Sequence, residues 1–224
     1  MKLKKLLLYS LLSLNTLGLV ACNKPVNQQQ LATSEAELLY AQGERYYLGE
    51  SAPQDYQKAF KLFEQAANKG LAVAQNDLGG MYFEGTGIKK DNEKAFVWIK
   101  KSADQNYPEA EYNLGIMYDH GYYVLKNRAE ALVFYKKSAD QGYAKAQFNL
   151  GNAYATGDGV TKDEQKALEL YTKAAEQDLP EAQYNLANLY EYTFNNKEKA
   201  KYWYEIASKN GIEQAKDALD RFKS

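Results

Sequence analysis

A short phrase returns in this chain every 36 residues. It reads Leu78-Gly79-Gly80-Met81-Tyr82, then Leu114-Gly115-Ile116-Met117-Tyr118, Leu150-Gly151-Asn152-Ala153-Tyr154 and Leu186-Ala187-Asn188-Leu189-Tyr190. A degenerate copy, Gln42-Gly43-Glu44-Arg45-Tyr46, precedes them by one period. A fixed period of this size means a stack of like supersecondary units, each burying its apolar face against its neighbours. Such stacks offer extended binding surfaces far more often than catalytic pockets.

The reference copy spans 107–142. Pro108-Glu109-Ala110 opens a helix, with Pro in the first turn where its missing N–H costs nothing. Ala110, Leu114, Met117 and Tyr118 then form one helical stripe. Gly121 ends it. A second helix starts near Asn127, with Ala131, Phe134, Tyr135, Ser138 and Ala139 on its buried side, and stops at Gly142, a left-handed cap position. Small residues recur at Ala74, Ala110, Ala146 and Ala182. Gly43, Gly79, Gly115 and Gly151 sit inside helices, where Gly costs about 1 kcal/mol relative to Ala. That repeated cost predicts helices too close for a side chain. Phe60, Leu62, Trp98, Phe134, Leu170 and Trp203 are the expected core fillers, and the Tyr46, Tyr82, Tyr118, Tyr154, Tyr190 ladder is expected to join neighbouring units. The fifth copy has a shorter middle loop and Thr193 in place of the loop glycine. From Ile212 to about Lys223, Ala215, Ala218, Leu219 and Phe222 predict an amphipathic closing helix.

The pattern resembles the Sel-one-like repeat family, relatives of the tetratricopeptide repeats. The fullest copy reads Ala146-Gln147, Leu150-Gly151, Tyr154, Gly157-Asp158-Gly159-Val160, Asp163, Lys166-Ala167, Tyr171, Lys173-Ala174-Ala175. The resemblance covers about 35–224. It implies an all-α, right-handed α-solenoid of about five two-helix repeats (35–70, 71–106, 107–142, 143–178, 179–211) with a cap over 212–224. It also implies an adaptor in protein complexes. The first copy lacks the loop Gly-x-Gly, and the third reads Gly121-Tyr122-Tyr123-Val124, so the loops need not share a role.

The other end of the chain speaks to location. Lys2, Lys4 and Lys5 precede a mostly apolar run from Leu6 to Val20, too short to span a membrane and of the form of a secretion signal. Leu19-Val20-Ala21-Cys22 resembles a bacterial lipobox, which implies a signal peptide over 1–21 and lipidation of Cys22, the single cysteine. Asn23 is not the Asp that favours inner-membrane retention, so the expected place is the outer membrane, facing the periplasm. Residues 22–34, with three consecutive Gln, read as a flexible tether. The chain without 1–21 carries 25 basic and 29 acidic residues, a charge of −4 that argues against nucleic-acid binding. No disulfide can staple the fold, so packing alone must hold it.

Catalytic groups are scarce. His120 is the one histidine, read as a polar residue at a helix C-terminus. No ligand spacing suggests a metal, no nucleophile motif appears, and Gly85-Thr86-Gly87 and Gly157-Asp158-Gly159 are too short for phosphate loops. No cofactor is expected.

The first helix of each pair lines the inner side of such a superhelix. One column there reads Asp77, Asn113, Asn149, Asn185; the next Asn76, Tyr112, Phe148, Tyr184; a third adds Asn152 and Asn188. Asn offers both donor and acceptor to a peptide backbone, and aromatics supply apolar contact. In tetratricopeptide relatives an Asn beside the Leu-Gly pair holds peptide, and Asn113, Asn149 and Asn185 match that place. The same amides could equally bond within the solenoid. The lead reading is a lipid-anchored envelope protein that binds a protein or peptide. An immunity protein neutralising a delivered toxin is the alternative. A cell-wall or β-lactam hydrolase is the remote one, against which the scarcity of catalytic groups stands.

Overall fold

The computed structural model describes residues 28–50 and 53–222. The expected signal peptide, Cys22 and the start of the tether lie outside them. Five helix pairs and a closing helix follow one another: α1 (Gln28–Leu48) with α2 (Tyr56–Asn68), α3 (Ala72–Glu84) with α4 (Asn92–Ala103), α5 (Pro108–His120) with α6 (Arg128–Asp140), α7 (Ala144–Thr156) with α8 (Glu164–Ala175), α9 (Pro180–Asn188) with α10 (Lys197–Lys209), and α11 (Glu213–Asp220). Each helix packs mainly on its neighbours in sequence, which is the contact pattern of an α-solenoid. There is no strand among the described residues. No described helix is long and apolar enough to cross a membrane.

Local chemistry sets these boundaries. Asp55, Asp91, Asn127, Asp163 and Asn196 each cap a second helix by accepting the N–H of the residue three further on. The backbone N–H of each cap donates to the carbonyl of Tyr46, Tyr82, Tyr118, Tyr154 or Tyr190, which closes the loop. Gly85, Gly121 and Gly157 end their helices in the left-handed conformation. The tyrosine ladder also joins units as expected: Tyr82 meets Phe60, and Tyr118 meets Phe96, each from the preceding repeat.

The close approach predicted at the helical glycines is present. A Cβ on Gly43, Gly115 or Gly151 would lie 2.6–2.8 Å from a ring carbon of Phe63, Tyr135 or Tyr171. Of the expected core fillers Phe60 is buried, and the other five stand one residue before the buried position. Leu62, Trp98, Phe134, Leu170 and Trp203 are half-buried, whereas Phe63, Ile99, Tyr135, Tyr171 and Tyr204 are buried. One residue turns a helix by about 100°, enough to carry a side chain from the interior to its edge. At that edge lysines cover the rings, with Lys101 4.0 Å from the Trp98 centroid and Lys137 5.4 Å from that of Phe134.

A polar seam unforeseen from the sequence links the repeats. The amides of Gln75, Gln147 and Gln183 donate to the carbonyls of Ala67, Ala139 and Ala175 in the preceding unit. Their side-chain oxygens accept from Gln105, Gln177 and Asn210. In the third repeat that position is Glu111, only 2 % exposed, which accepts from Gln141 at 2.7 Å.

Two ends differ from expectation. The helix α1 starts at Gln28, so the last part of the expected tether is helical. In the fifth repeat α9 runs on into a π-helical turn over Leu189–Thr193, which takes up the shortened loop. The cap α11 is shorter than expected, with Ala215 and Ala218 buried on α10. Arg221 beyond it donates to Glu191 at 2.9 Å and ties the cap to that turn.

Candidate binding groove

The first helices α3, α5, α7 and α9 carry the three columns read from the sequence. Asn76 is buried, the other residues of the columns are half-buried, and most are joined to a neighbouring helix. Asn113 donates to Asn76 Oδ1 at 2.9 Å, linking α5 to α3. Asn185 donates to Asn152 Oδ1 at 2.9 Å, linking α9 to α7. Asn152 also accepts from the Tyr171 hydroxyl, and Asn188 from that of Tyr204. The Asn149 amide faces the hydroxyls of Tyr112 and Tyr135. The Asn ladder is therefore a set of bonds between helices, with part of each side chain left toward the groove.

The aromatic column is also paired within each repeat, with one exception. Extended by one unit it reads Tyr40, Asn76, Tyr112, Phe148, Tyr184. Tyr40 stacks on Phe63 at 5.1 Å; Tyr112 lies 5.8 Å from Tyr135, Phe148 6.0 Å from Tyr171, and Tyr184 5.8 Å from Tyr204. In the second repeat the partners are Asn76 and Ile99, and there is no ring pair. One turn along α3, Gly80 stands where the other repeats have Glu44, Ile116, Asn152 and Asn188. A Cβ built on Gly80 would meet nothing within 4 Å. All three departures reduce side-chain volume at one place.

A cavity of about 480 Å³ opens there, lined by Asn76, Gly80 and Ile99 and walled by the first helices α1, α3 and α5. Tyr40, Tyr47, Phe63 and Phe83 supply aromatic surface, and Asn113 stands at its far side. Glu44, Asp77, Glu84 and Glu109 also line it, and no lysine or arginine is among its described lining residues. Asp77 accepts from the Tyr40 hydroxyl at 2.6 Å and from the Asn76 amide at 3.1 Å. With the Asn113 bond this makes a polar chain across three repeats. The negative field acts on the nearby phenols. Burial, reinforced by Asp77 and Glu44, raises Tyr40 far above its ordinary range. Burial, with Glu109, Asp77 and Glu44, pushes Tyr107 up to about 12.

Of the eight groove residues predicted, Asn113 alone lines this cavity. Asn149, Asn152, Asn185, Asn188, Tyr112, Phe148 and Tyr184 lie elsewhere on the first-helix side. What the sequence reading missed was the interruption. Asn76 and Asp77 were both in its columns, yet only the loss of volume at 76, 80 and 99 together marks the hollow. His120 is exposed at the end of α5, its ring 5.4 Å from that of Tyr122. Among the described residues no group of three or more His, Cys, Asp or Glu is placed to hold a metal ion.

Several solved structures share this architecture. A Sel1 repeat protein from Oxalobacter formigenes is 35% identical over 80% of this chain and 75% of its own, with a TM-score of 0.73. A protective antigen of uropathogenic Escherichia coli strains with an SLR fold is 29% identical, with a TM-score of 0.74 over 88% of this chain; the chain spans 45% of that protein's length. An immunity protein from Pseudomonas aeruginosa is 26% identical over 80% of this chain and 67% of its own, with a TM-score of 0.58. No curated protein matches the sequence. The Sel1 repeat model matches residues 34–71, 72–107, 108–143, 144–179 and 180–212, each one helix pair of the solenoid, and the chain accordingly belongs to the Sel1 repeat family.

Proposed function

We propose that this protein is a lipid-anchored scaffold of the bacterial cell envelope that binds a protein or peptide on its first-helix face. The observation that carries the reading is the hollow across α1, α3 and α5, which combines aromatic surface, aligned amides and carboxylates in one open groove. Membership of a repeat family that presents extended concave surfaces supports it. The lipobox-like Leu19-Val20-Ala21-Cys22 supports the anchor, with the outer membrane facing the periplasm as the proposed site. No catalytic role is part of the proposal.

In-cell photo-crosslinking tests the groove. A crosslinker in place of Glu84, at the mouth of the hollow, is expected to capture one dominant envelope protein. One in place of the exposed Leu125 in the α5–α6 loop is expected not to. Equal capture from both positions would remove the groove from the proposal. The Cys22→Ser variant is expected to lose acyl labelling and leave the membrane fraction; a variant that stays there would remove the anchor.

A second reading, an immunity protein that occludes a delivered toxin, is favoured by the similarity to the Pseudomonas aeruginosa immunity protein. Protection of cells from a toxin encoded beside this gene, lost on deletion of the gene, would favour it over a resident adaptor.

A further inference from the structure

We infer that the hollow of the second repeat is a socket for one aromatic side chain of the partner protein, seated where this repeat lacks a ring of its own. This rests on the proposed use of the first-helix face and specifies what that face recognises.

The repeat itself supplies the template. In four units the first helix sets a ring against the second, at centroid distances of 5.1–6.0 Å. The second unit has Asn76 and Ile99 at the two places. Asn76 keeps the polar contact to the next repeat and drops the ring. Its Oδ1 accepts from Asn113 at 2.9 Å, as the Tyr40 hydroxyl reaches Asp77 at 2.6 Å. The bonds between repeats are thus closed while the volume of a ring is missing, and Gly80, one turn along, leaves more space. Close packing is the rule inside proteins, and a lined hollow of about 480 Å³ departs from it. That volume lies within the range of about 300–1,000 Å³ that proteins use for ligands. Three successive first helices wall it, so it continues into the groove and receives a side chain from a strand of peptide lying there.

The floor of the hollow names the class of that side chain. The carboxylates around it are engaged within the protein: Asp77 accepts from Tyr40 and Asn76, and Glu44 and Glu109 have interactions of their own. What remains for a guest is apolar surface. Phe63, Met81, Ile99 and Met117 line the hollow and are otherwise shielded from water. Burying a further apolar group against them is favourable and strands no polar atom. The rings of Tyr40 and Phe63 favour another ring, which gains from offset or edge-on contact beyond the area it buries. The thioethers of Met81 and Met117 suit a ring edge and adapt to its outline. A leucine fills less of the space and makes neither contact. A charged side chain gives up its hydration against an apolar floor.

Panning displayed random dodecapeptides against the purified full-length protein tests this. The recovered peptides are expected to share one aromatic residue. A synthetic copy with alanine in its place is expected to bind at least about tenfold more weakly, and a copy with leucine there to fall between the two. Asn76→Tyr returns to the repeat a ring of its own. Gly80→Leu fills the hollow from a helix position whose Cβ would meet nothing within 4 Å. Each is expected to weaken the aromatic peptide by a similar factor, Gly80→Leu with the melting temperature held or raised. Peptides lost on Gly80→Leu that share no aromatic residue, or whose leucine copy binds as tightly, would overturn the ring and leave the groove. Peptides indifferent to Gly80→Leu and Asn76→Tyr but lost on Asn149→Ala with Asn185→Ala would overturn the hollow and leave the first-helix face. Recovery of no peptide, or of peptides indifferent to all these changes, would overturn both this inference and the function on which it rests.

Discussion

The second repeat and its neighbours obey the same local rules and differ in what lies between their helices. All have a capping side chain at the second helix, a buried alanine on the first, and a close contact at the Leu-Gly phrase or its equivalent. The third, fourth and fifth repeats fill the space with rings whose hydroxyls are engaged by Asp119 or by the Asn ladder. The second keeps the frame and omits the filling. The period therefore specifies the architecture, and the departures from it locate the hollow.

The sharpest test of this contrast compares the buried second-helix position in two repeats. Tyr135 is fully buried, lies against Gly115, and donates to Asp119 at 3.2 Å. Tyr135→Ala is expected to cost about 3–5 kcal/mol in denaturant unfolding. Ile99 borders a hollow that already exists, so Ile99→Ala is expected near the lower end of its class, about 2 kcal/mol. Equal losses would mean that the two repeats are packed alike. Gly115→Ala comes next. Its Cβ would sit 2.7 Å from the Tyr135 ring and 3.2 Å from the Ala131 carbonyl. The ring has no room to withdraw, and a loss of about 1–3 kcal/mol is expected in the same measurement.

Much of this was legible in the sequence because repetition multiplies a weak signal. One Gly in a helix says little, whereas Gly43, Gly79, Gly115 and Gly151 at a fixed spacing announced a close contact, which the structure shows. The helix start at Asn127 was legible for the same reason. The core column was not, because adjacent positions such as Phe134 and Tyr135 are both large, and periodicity cannot say which faces inward. The Asn ladder was ambiguous because one amide can serve a ligand or a neighbouring helix. The hollow was hidden because it depends on Asn76, Gly80 and Ile99, which come together only when α3 packs on α4. Averaging the copies into a consensus erases that information.

The polar seam offers a smaller test at the junction of the second and third repeats. Three repeats use Gln there, whose amide donates to the preceding alanine carbonyl. The Glu111 carboxylate has no proton to donate. Burial pushes its carboxyl above the ordinary 4.5, against the opposing effects of Gln141 and Lys137. The folded state thus favours the protonated form. The stability linked to this group is complete below pH 4.5 and is lost as pH rises through the raised folded-state value. Glu111→Gln is expected to remove this pH dependence and to restore the missing donor, with a gain of about 1 kcal/mol at neutral pH. Melting curves from acid to neutral pH check both; parallel curves for the two proteins would show that the junction does not depend on this charge.

The smallest effect should come from the second glycine of the Gly79-Gly80 pair, and it separates frame from site. Gly79 belongs to the repeat: its Cβ would lie 2.6 Å from Ile99 Cγ1 and 3.1 Å from the Ala95 carbonyl. Gly80 has no such neighbour within 4 Å, so packing gives no reason for glycine there. Helix propensity favours Ala over Gly by about 1 kcal/mol. Gly80→Ala is accordingly expected to stabilise the protein by up to about 1 kcal/mol in denaturant unfolding. Gly80 lines the hollow, so binding of a partner there should fall as stability rises. Opposite signs for the two changes would identify Gly80 as a residue kept for the space it leaves. A stabilised variant with undiminished binding would show that the bound side chain does not reach this wall.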